Sequence, residues 1–252
     1  MKEQKKYAIT VIAGLLTIIV SSIILFSSGS YAVYTANTIR RKLPVYGVGR
    51  DDGALSISFD CAWGTDYTDK ILDTLDFYNV KATFFVVQFW AEKYPDYLKK
   101  IVERGHEVGT HSKTHPKMSK LSAEEIEEEL KSSVAAIENV TGQKVKLFRP
   151  PFGDYDDKVI TAAENLGLYT IQWNVDSLDW KNLSAEQIAA RVIKKAGSGS
   201  IILMHNNGLH TAESLPLIFT ATQQEGLVYR PISELIYTDD FRITPDGTQI
   251  KN

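Results

Sequence analysis

The stretch from Ala54 to Gly64, ALSISFDCAWG, decides how the rest of the chain is read. Apolar and small polar side chains alternate through Phe59, the period-2 mark of a strand whose two faces differ. The strand ends on an acid, Asp60, beside Cys61, the only cysteine in the sequence. Beyond Gly64 the period changes. A helix is expected near 67–78, with Ile71, Leu72 and Leu75 on one face. A strand, an acid at its C-terminal end and a following helix make one unit of a parallel α/β fold.

The unit recurs. ATFFVV (82–87) precedes a helix near 94–104, and HEVGT (106–110) precedes the longest helix, near 123–140. VKLFR (145–149) leads to a helix near 156–166, and YTIQWNV (169–175) to one near 184–196. SIILMH (200–205) leads to a helix near 211–225, and LVY (227–229) to a short one near 231–236. Ser122 with Glu125, and Ser184 with Gln187, have capping-box spacing at two of the starts. Gly142 lies just past the end of the long helix, where a left-handed residue is favoured. About seven strand–helix units imply a parallel sheet, as a closed barrel or an open doubly wound sheet. No Gly-rich phosphate loop follows the first strand, which argues against a nucleotide-binding sheet.

Upstream, Lys2, Lys5 and Lys6 precede an uncharged, mostly apolar run from Tyr7 to about Phe26. At roughly 1.5 Å per residue, such a run crosses a hydrocarbon core about 30 Å thick. The leading lysines then predict residues 1–6 on the cytoplasmic side and the remainder outside. The competing reading of 7–27 is a cleaved signal, because Ser30-Tyr31-Ala32 has the small-x-small form of a cleavage site. The chain is then a single-pass membrane protein or a secreted one, and both readings place the domain outside the cytoplasm. Residues 28–50 read as a stem, 51–240 as the domain and 241–252 as a C-terminal tail.

Composition narrows the function. The 252 residues are 44% hydrophobic with a formal charge of −3, enough for one full core. No long basic stripe suggests nucleic acid. One cysteine excludes an intrachain disulfide and a cysteine-based zinc cluster. The sequence carries no signal for an oligomeric state.

In a parallel barrel, chemistry gathers at the C-terminal ends of the strands, and the notable polar residues fall there. Asp60 ends the first strand, and His111 and His115 follow the third in HSKTH. Arg149 ends the fourth, leading into RPPFG; Asp176 and Asp179-Trp180 follow the fifth in DSLDW; His205 ends the sixth in LMH. Histidines four apart can chelate one metal from a helix or a turn. His106 and His210 read as structural, and the acidic run EEIEEEL (124–130) as a solvated helix face.

SFDCAWG, HSKTH, RPPFG, DSLDW and LMH, in this order, resemble the polysaccharide deacetylase family, the NodB-homology or carbohydrate esterase family 4 domain, over about residues 50–240. The anchor and short stem are similar to those of sporulation-associated deacetylases of Gram-positive bacteria. The resemblance implies a distorted (β/α)7 barrel that hydrolyses N-acetyl groups from a sugar. On this chain it implies Asp60 as general base, held by Arg149, and His205 as general acid, oriented by Asp179. It implies His111 and His115 as ligands of a divalent metal, usually zinc. Trp180 and Leu203 would line the pocket for the acetyl methyl, and the Phe152 backbone N–H would help hold the oxyanion. With a domain outside the cytoplasm, the implied substrate is a cell-wall glycan, most plausibly peptidoglycan.

Two positions depart from the family pattern. The second aspartate of the first motif, a metal ligand, is here Cys61, and the usual tyrosine is Phe152. Three outcomes stay open for the metal: Cys61 ligates as a thiolate, Asp66 swings in instead, or metal affinity is weak or lost. The last leaves a weak catalyst or a non-catalytic glycan-binding or structural protein of the envelope or spore.

Overall fold

The computed structural model describes residues 41–252. The expected cytoplasmic segment 1–6, the anchor or signal 7–27 and most of the stem lie outside the described residues. Among the described residues, no helix is long and apolar enough to cross a membrane.

Strand β1 (Gly47–Val48) precedes β2 (Ala54–Cys61), helix α1 (Thr68–Phe77), β3 (Thr83–Val86), α2 (Gln88–Lys93), α3 (Pro95–Glu103) and β4 (Glu107–Thr110). Then come α4 (Ala123–Thr141), β5 (Leu147–Phe148), α5 (Asp157–Asn165), β6 (Tyr169–Thr170), β7 (Val175–Asp176), α6 (Ala185–Ile193) and β8 (Ile201–His205). The chain closes with α7 (Thr211–Gln224), β9 (Val228–Tyr229), α8 (Ile232–Leu235), β10 (Phe241–Ile243) and β11 (Thr248–Lys251). The helices start and stop where caps tell them to. Ser122 and Glu125 form the capping box of α4 reciprocally, and Gly142 closes that helix at φ 68°. Ser184 and Gln187 do the same at α6.

The main sheet runs β6-β5-β4-β3-β2-β8-β7, with β9 joining the start of β2. Its pairs are parallel. The two faces of β2 explain how it is buried on both sides. Leu55, Ile57, Phe59 and Cys61 pack in the cluster shared with the helices. Ala54 belongs to a second cluster with Phe85, Leu147, Ile171 and Ile201, which fills the sheet's concave interior. By the period of two, Ser56, Ser58 and Asp60 share that interior side with Ala54. This curled parallel sheet jacketed by helices fits a distorted (β/α)7 barrel.

Two segments differ from expectation. YTIQWNV is not one strand: Tyr169–Thr170 pairs with β5 and Val175–Asp176 with β8, so a single run supplies both edges of the curl. The segment before β2 is not a free stem either. Val45 donates to Thr170 O and accepts from Gln172 N–H, while Val48 donates to Gly199 O. Residues 45–48 therefore strap the β6 edge to the segment that leads into β8. A Cβ on Gly199, whose φ is +77°, would stand 1.6 Å from Val48 O, so only glycine admits the strap. The segment expected as a tail forms the hairpin β10–β11, and β11 pairs in parallel with β1. Its short strands gave too few alternations to be read.

Candidate functional site

Sheet register brings the polar strand ends level. Asp60 lies opposite His205 across β2 and β8, and Thr110 pairs with Phe148, so the following His111 and Arg149 leave the sheet side by side. Arg149 is fully buried and uses both ends. Its guanidinium donates to Asp60 Oδ1 at 2.8 Å and to Gln172 O at 3.2 Å. Its carbonyl accepts from His111 Nδ1 at 2.7 Å. A carbonyl can only accept, so Nδ1 carries the proton and His111 Nε2 faces Asp60 Oδ2 at 3.5 Å. Burial alone would push the Asp60 carboxyl up, but His111 and Arg149 outweigh it and hold it below the usual carboxylate range.

A second dyad stands across the site. His205 Nδ1 donates to Asp179 Oδ1 at 2.7 Å, and the His205 backbone N–H donates to Oδ2 at 2.7 Å. Thr211, at the start of α7, adds an O–H donor to Oδ2 at 2.6 Å. Burial would lower the His205 imidazole, but the bond and charge of Asp179 prevail and raise it. Thr211 carried no signal in the sequence, because a threonine opening a helix is ordinary. Asp176, singled out with Asp179, instead accepts from the Leu178 N–H and shapes its own loop.

The two histidines of HSKTH sit on a turn, with ring centroids 4.9 Å apart. Ser112 and His115 have φ of 73° and 59°, left-handed values rare for such residues. His115 is flanked by Trp63 and Phe152, at 5.1 and 4.6 Å between ring centroids. Burial and neighbouring His111 push its imidazole down to about 4. Trp63, Phe152 and Trp180 are 60%, 65% and 56% exposed, large apolar rings presented to solvent at these strand-end loops. Leu203 is buried on β8, opposite Ser58 and Asp176.

The third metal ligand is not assembled. Cys61 lies on the face of β2 opposite to Asp60, fully buried in the cluster shared with the helices. Burial and the charge of Asp60 push its thiol well up, so it is a core thiol and not a thiolate. Asp66 is exposed on the turn before α1. Among the described residues, no three His, Cys, Asp or Glu side chains converge to hold a metal ion. Two imidazoles alone do not fit a three-ligand centre. His106 is buried below β4, where its Nδ1 accepts from Ala82 N–H, as a structural histidine would.

The acidic run of α4 corrects a sequence expectation. Glu124, Glu125, Glu127 and Glu128 are exposed, but Glu129 is buried and faces the histidine loop. The signal was its spacing of three from Ile126, on the apolar stripe.

Residues 47–171 match the family model for polysaccharide deacetylase. Peptidoglycan-N-acetylmuramic acid deacetylase PdaA of Bacillus subtilis is 30% identical over 82% of this chain and 81% of its own length. Peptidoglycan-N-acetylglucosamine deacetylase PgdA of Listeria monocytogenes is 35% identical over 77% of this chain, which spans only 41% of that protein. Among solved structures, BA3943 of Bacillus anthracis, described as a CE4 family pseudoenzyme, is 36% identical with a TM-score of 0.74, over 76% of this chain and 68% of that one. A BA3943 mutant described as having restored enzymatic activity aligns at 38% identity, TM-score 0.74, over 76% of this chain and 70% of that one. With the fold, the five motifs and these relatives in agreement, the chain belongs to the polysaccharide deacetylase family.

Proposed function

We propose that this chain acts on an N-acetylated cell-wall glycan, peptidoglycan, and removes acetyl groups by acid–base chemistry between Asp60 and His205. One observation carries the reading: two separately braced dyads, Asp60–Arg149 and His205–Asp179, end adjacent strands in register. Asp60, kept ionised, takes a proton from water as its oxygen attacks the amide carbon. Developing negative charge on the carbonyl oxygen needs fixed donors, for which the Phe152 backbone N–H is our candidate. His205 Nε2 gives its proton to the amide nitrogen, the C–N bond breaks, and acetate and a free amine leave. The raised imidazole favours the acid form that this step requires. The exposed rings of Trp63, Phe152 and Trp180 suit the apolar faces of sugars and the acetyl methyl.

In metal-dependent relatives a divalent ion polarises the amide oxygen. Here the donor set stops at His111 and His115, and no step is drawn through a metal. That incompleteness favours a second reading, a glycan-binding protein with weak or no turnover. We place the protein at the outer face of the cell membrane or beyond it, on the lysine-flanked N-terminal run. Acetate release from N-acetylglucosamine oligomers and from intact peptidoglycan tests the first reading. Asp60→Asn and His205→Ala should each abolish it. Release at the parent rate in both variants refutes the mechanism. Glycan binding without release in the parent establishes the second reading.

A further inference from the structure

The loop that carries both histidines holds an improbable conformation. Two of its residues, Ser112 and His115, occupy the left-handed region without being glycine. Such strain persists only where the surroundings over-determine the backbone. The restraint comes largely from one helix face. Glu129 Oε2 accepts from the backbone N–H of Lys113 at 2.9 Å and of Thr114 at 2.8 Å. Glu129 Oε1 accepts from the Thr114 hydroxyl at 2.6 Å. One turn further along α4, Ser133 bonds the Thr110 hydroxyl at 2.5 Å, and that hydroxyl accepts from the Ser112 N–H at 3.2 Å. Ser112 Oγ in turn accepts from the His115 N–H at 3.0 Å. The densest anchor of the loop is the Glu129 carboxylate, which accepts three hydrogen bonds from it.

We propose that Glu129 is a positioning residue for the His111–His115 pair. Its carboxylate clamps two of the three residues between the histidines, Lys113 and Thr114, so His115 is set in its left-handed conformation between Trp63 and Phe152. Alone among the acids of its run it faces inward. A buried carboxylate merely filling space would be costly, whereas one that collects three donors is satisfied and rigidifies what it holds. The inference rests on the reading that this pair faces substrate, but its geometry stands apart from turnover.

The test is NMR of the full chain in detergent, with no activity measured. Ring currents from Trp63 and Phe152 displace the His115 imidazole signals from their free values. Glu129→Leu keeps bulk but removes both acceptors. It should return the His115 signals toward free values and speed exchange of the Lys113 and Thr114 amides about 10- to 100-fold. The His205 signals should stay in place. Glu129→Gln can turn its carbonyl to the two N–H groups and its NH2 to the Thr114 oxygen, and should restore the parent pattern. Unchanged His115 signals in Glu129→Leu overturn the proposal. So does equal disturbance of His115 and His205, which marks a general stability effect. If Glu129→Leu fails to fold, the parent decides: protected Lys113 and Thr114 amides together with a parent-like Glu129→Gln support the clamp, and unprotected amides overturn it.

Discussion

Replacing Arg149 with methionine isolates the charge that braces Asp60. Methionine keeps much of the arginine stem's bulk against Phe85, whose ring centre lies 4.1 Å from the guanidinium carbon. What disappears is the 2.8 Å ion pair to Asp60 and the bond to Gln172 O. Arg149 is 0% and Asp60 7% exposed, so solvent cannot take the guanidinium's place. Breaking a buried pair on one side costs about 3–5 kcal/mol, because the surviving charge is stranded. The variant should lose that much at pH 7, read as urea unfolding of the detergent-solubilised full chain by tryptophan fluorescence. Adding Asp60→Asn removes the stranded charge and should recover at least about 1.5 kcal/mol. The pH dependence changes as well. In the parent, burial opposes the Asp60 charge but His111 and Arg149 outweigh it, so its carboxyl sits low. Its contribution is then present above the unfolded value, about 3.9, and lost as pH falls through the folded one. Without Arg149 burial is opposed by His111 and His205 alone, and the carboxyl moves up from its parent position. Protonation then relieves the variant, and its deficit against the parent narrows as pH falls toward about 4. A double variant no more stable than Arg149→Met, or a deficit that widens in acid, refutes the reasoning.

Three further outcomes follow from the geometry. Asp179→Asn leaves burial to act on His205 without its counter-charge, so the imidazole should titrate at lower pH than in the parent; an unmoved titration of its Cε1 proton by NMR contradicts the brace. In a cobalt titration, parent and Cys61→Ala should give the same visible spectrum without a sulfur-to-metal band, because Cys61 faces the helices; a band confined to the parent would put its sulfur on the metal. Gly199→Ala should cost at least about 2 kcal/mol, from a strained φ and a backbone collision at Val48, and should open residues 45–48 to protease; parent-like melting and cleavage would show the strap to be dispensable.

The strand–helix alternation was readable because each buried strand and each capped helix states its period locally. Asp60, Arg149, His111 and His205 were legible for a related reason: polar residues ending apolar strands stand out one at a time. What escaped depends on partners far away in sequence. Glu129 looks like its exposed neighbours until Lys113 and Thr114 are laid against it. Cys61 could be weighed as a ligand only while the face it takes at the strand's end was unknown. The split of YTIQWNV between two edges, and the strap at residues 45–48, follow from the closing of the curl and from no local period.

Through β1, the strap also pairs the start of the described fold with its last strand. Residues 45–48 leave the ribosome before the strands they join, yet Val48 meets Gln249 across β1 and β11. At roughly 5–20 residues per second, the two are made about 10–40 s apart. Through that interval β1 lacks its β11 partner and presents unpaired N–H and C=O groups, the feature that recruits stray strands. A product truncated before Thr248 keeps that β1 edge unpaired.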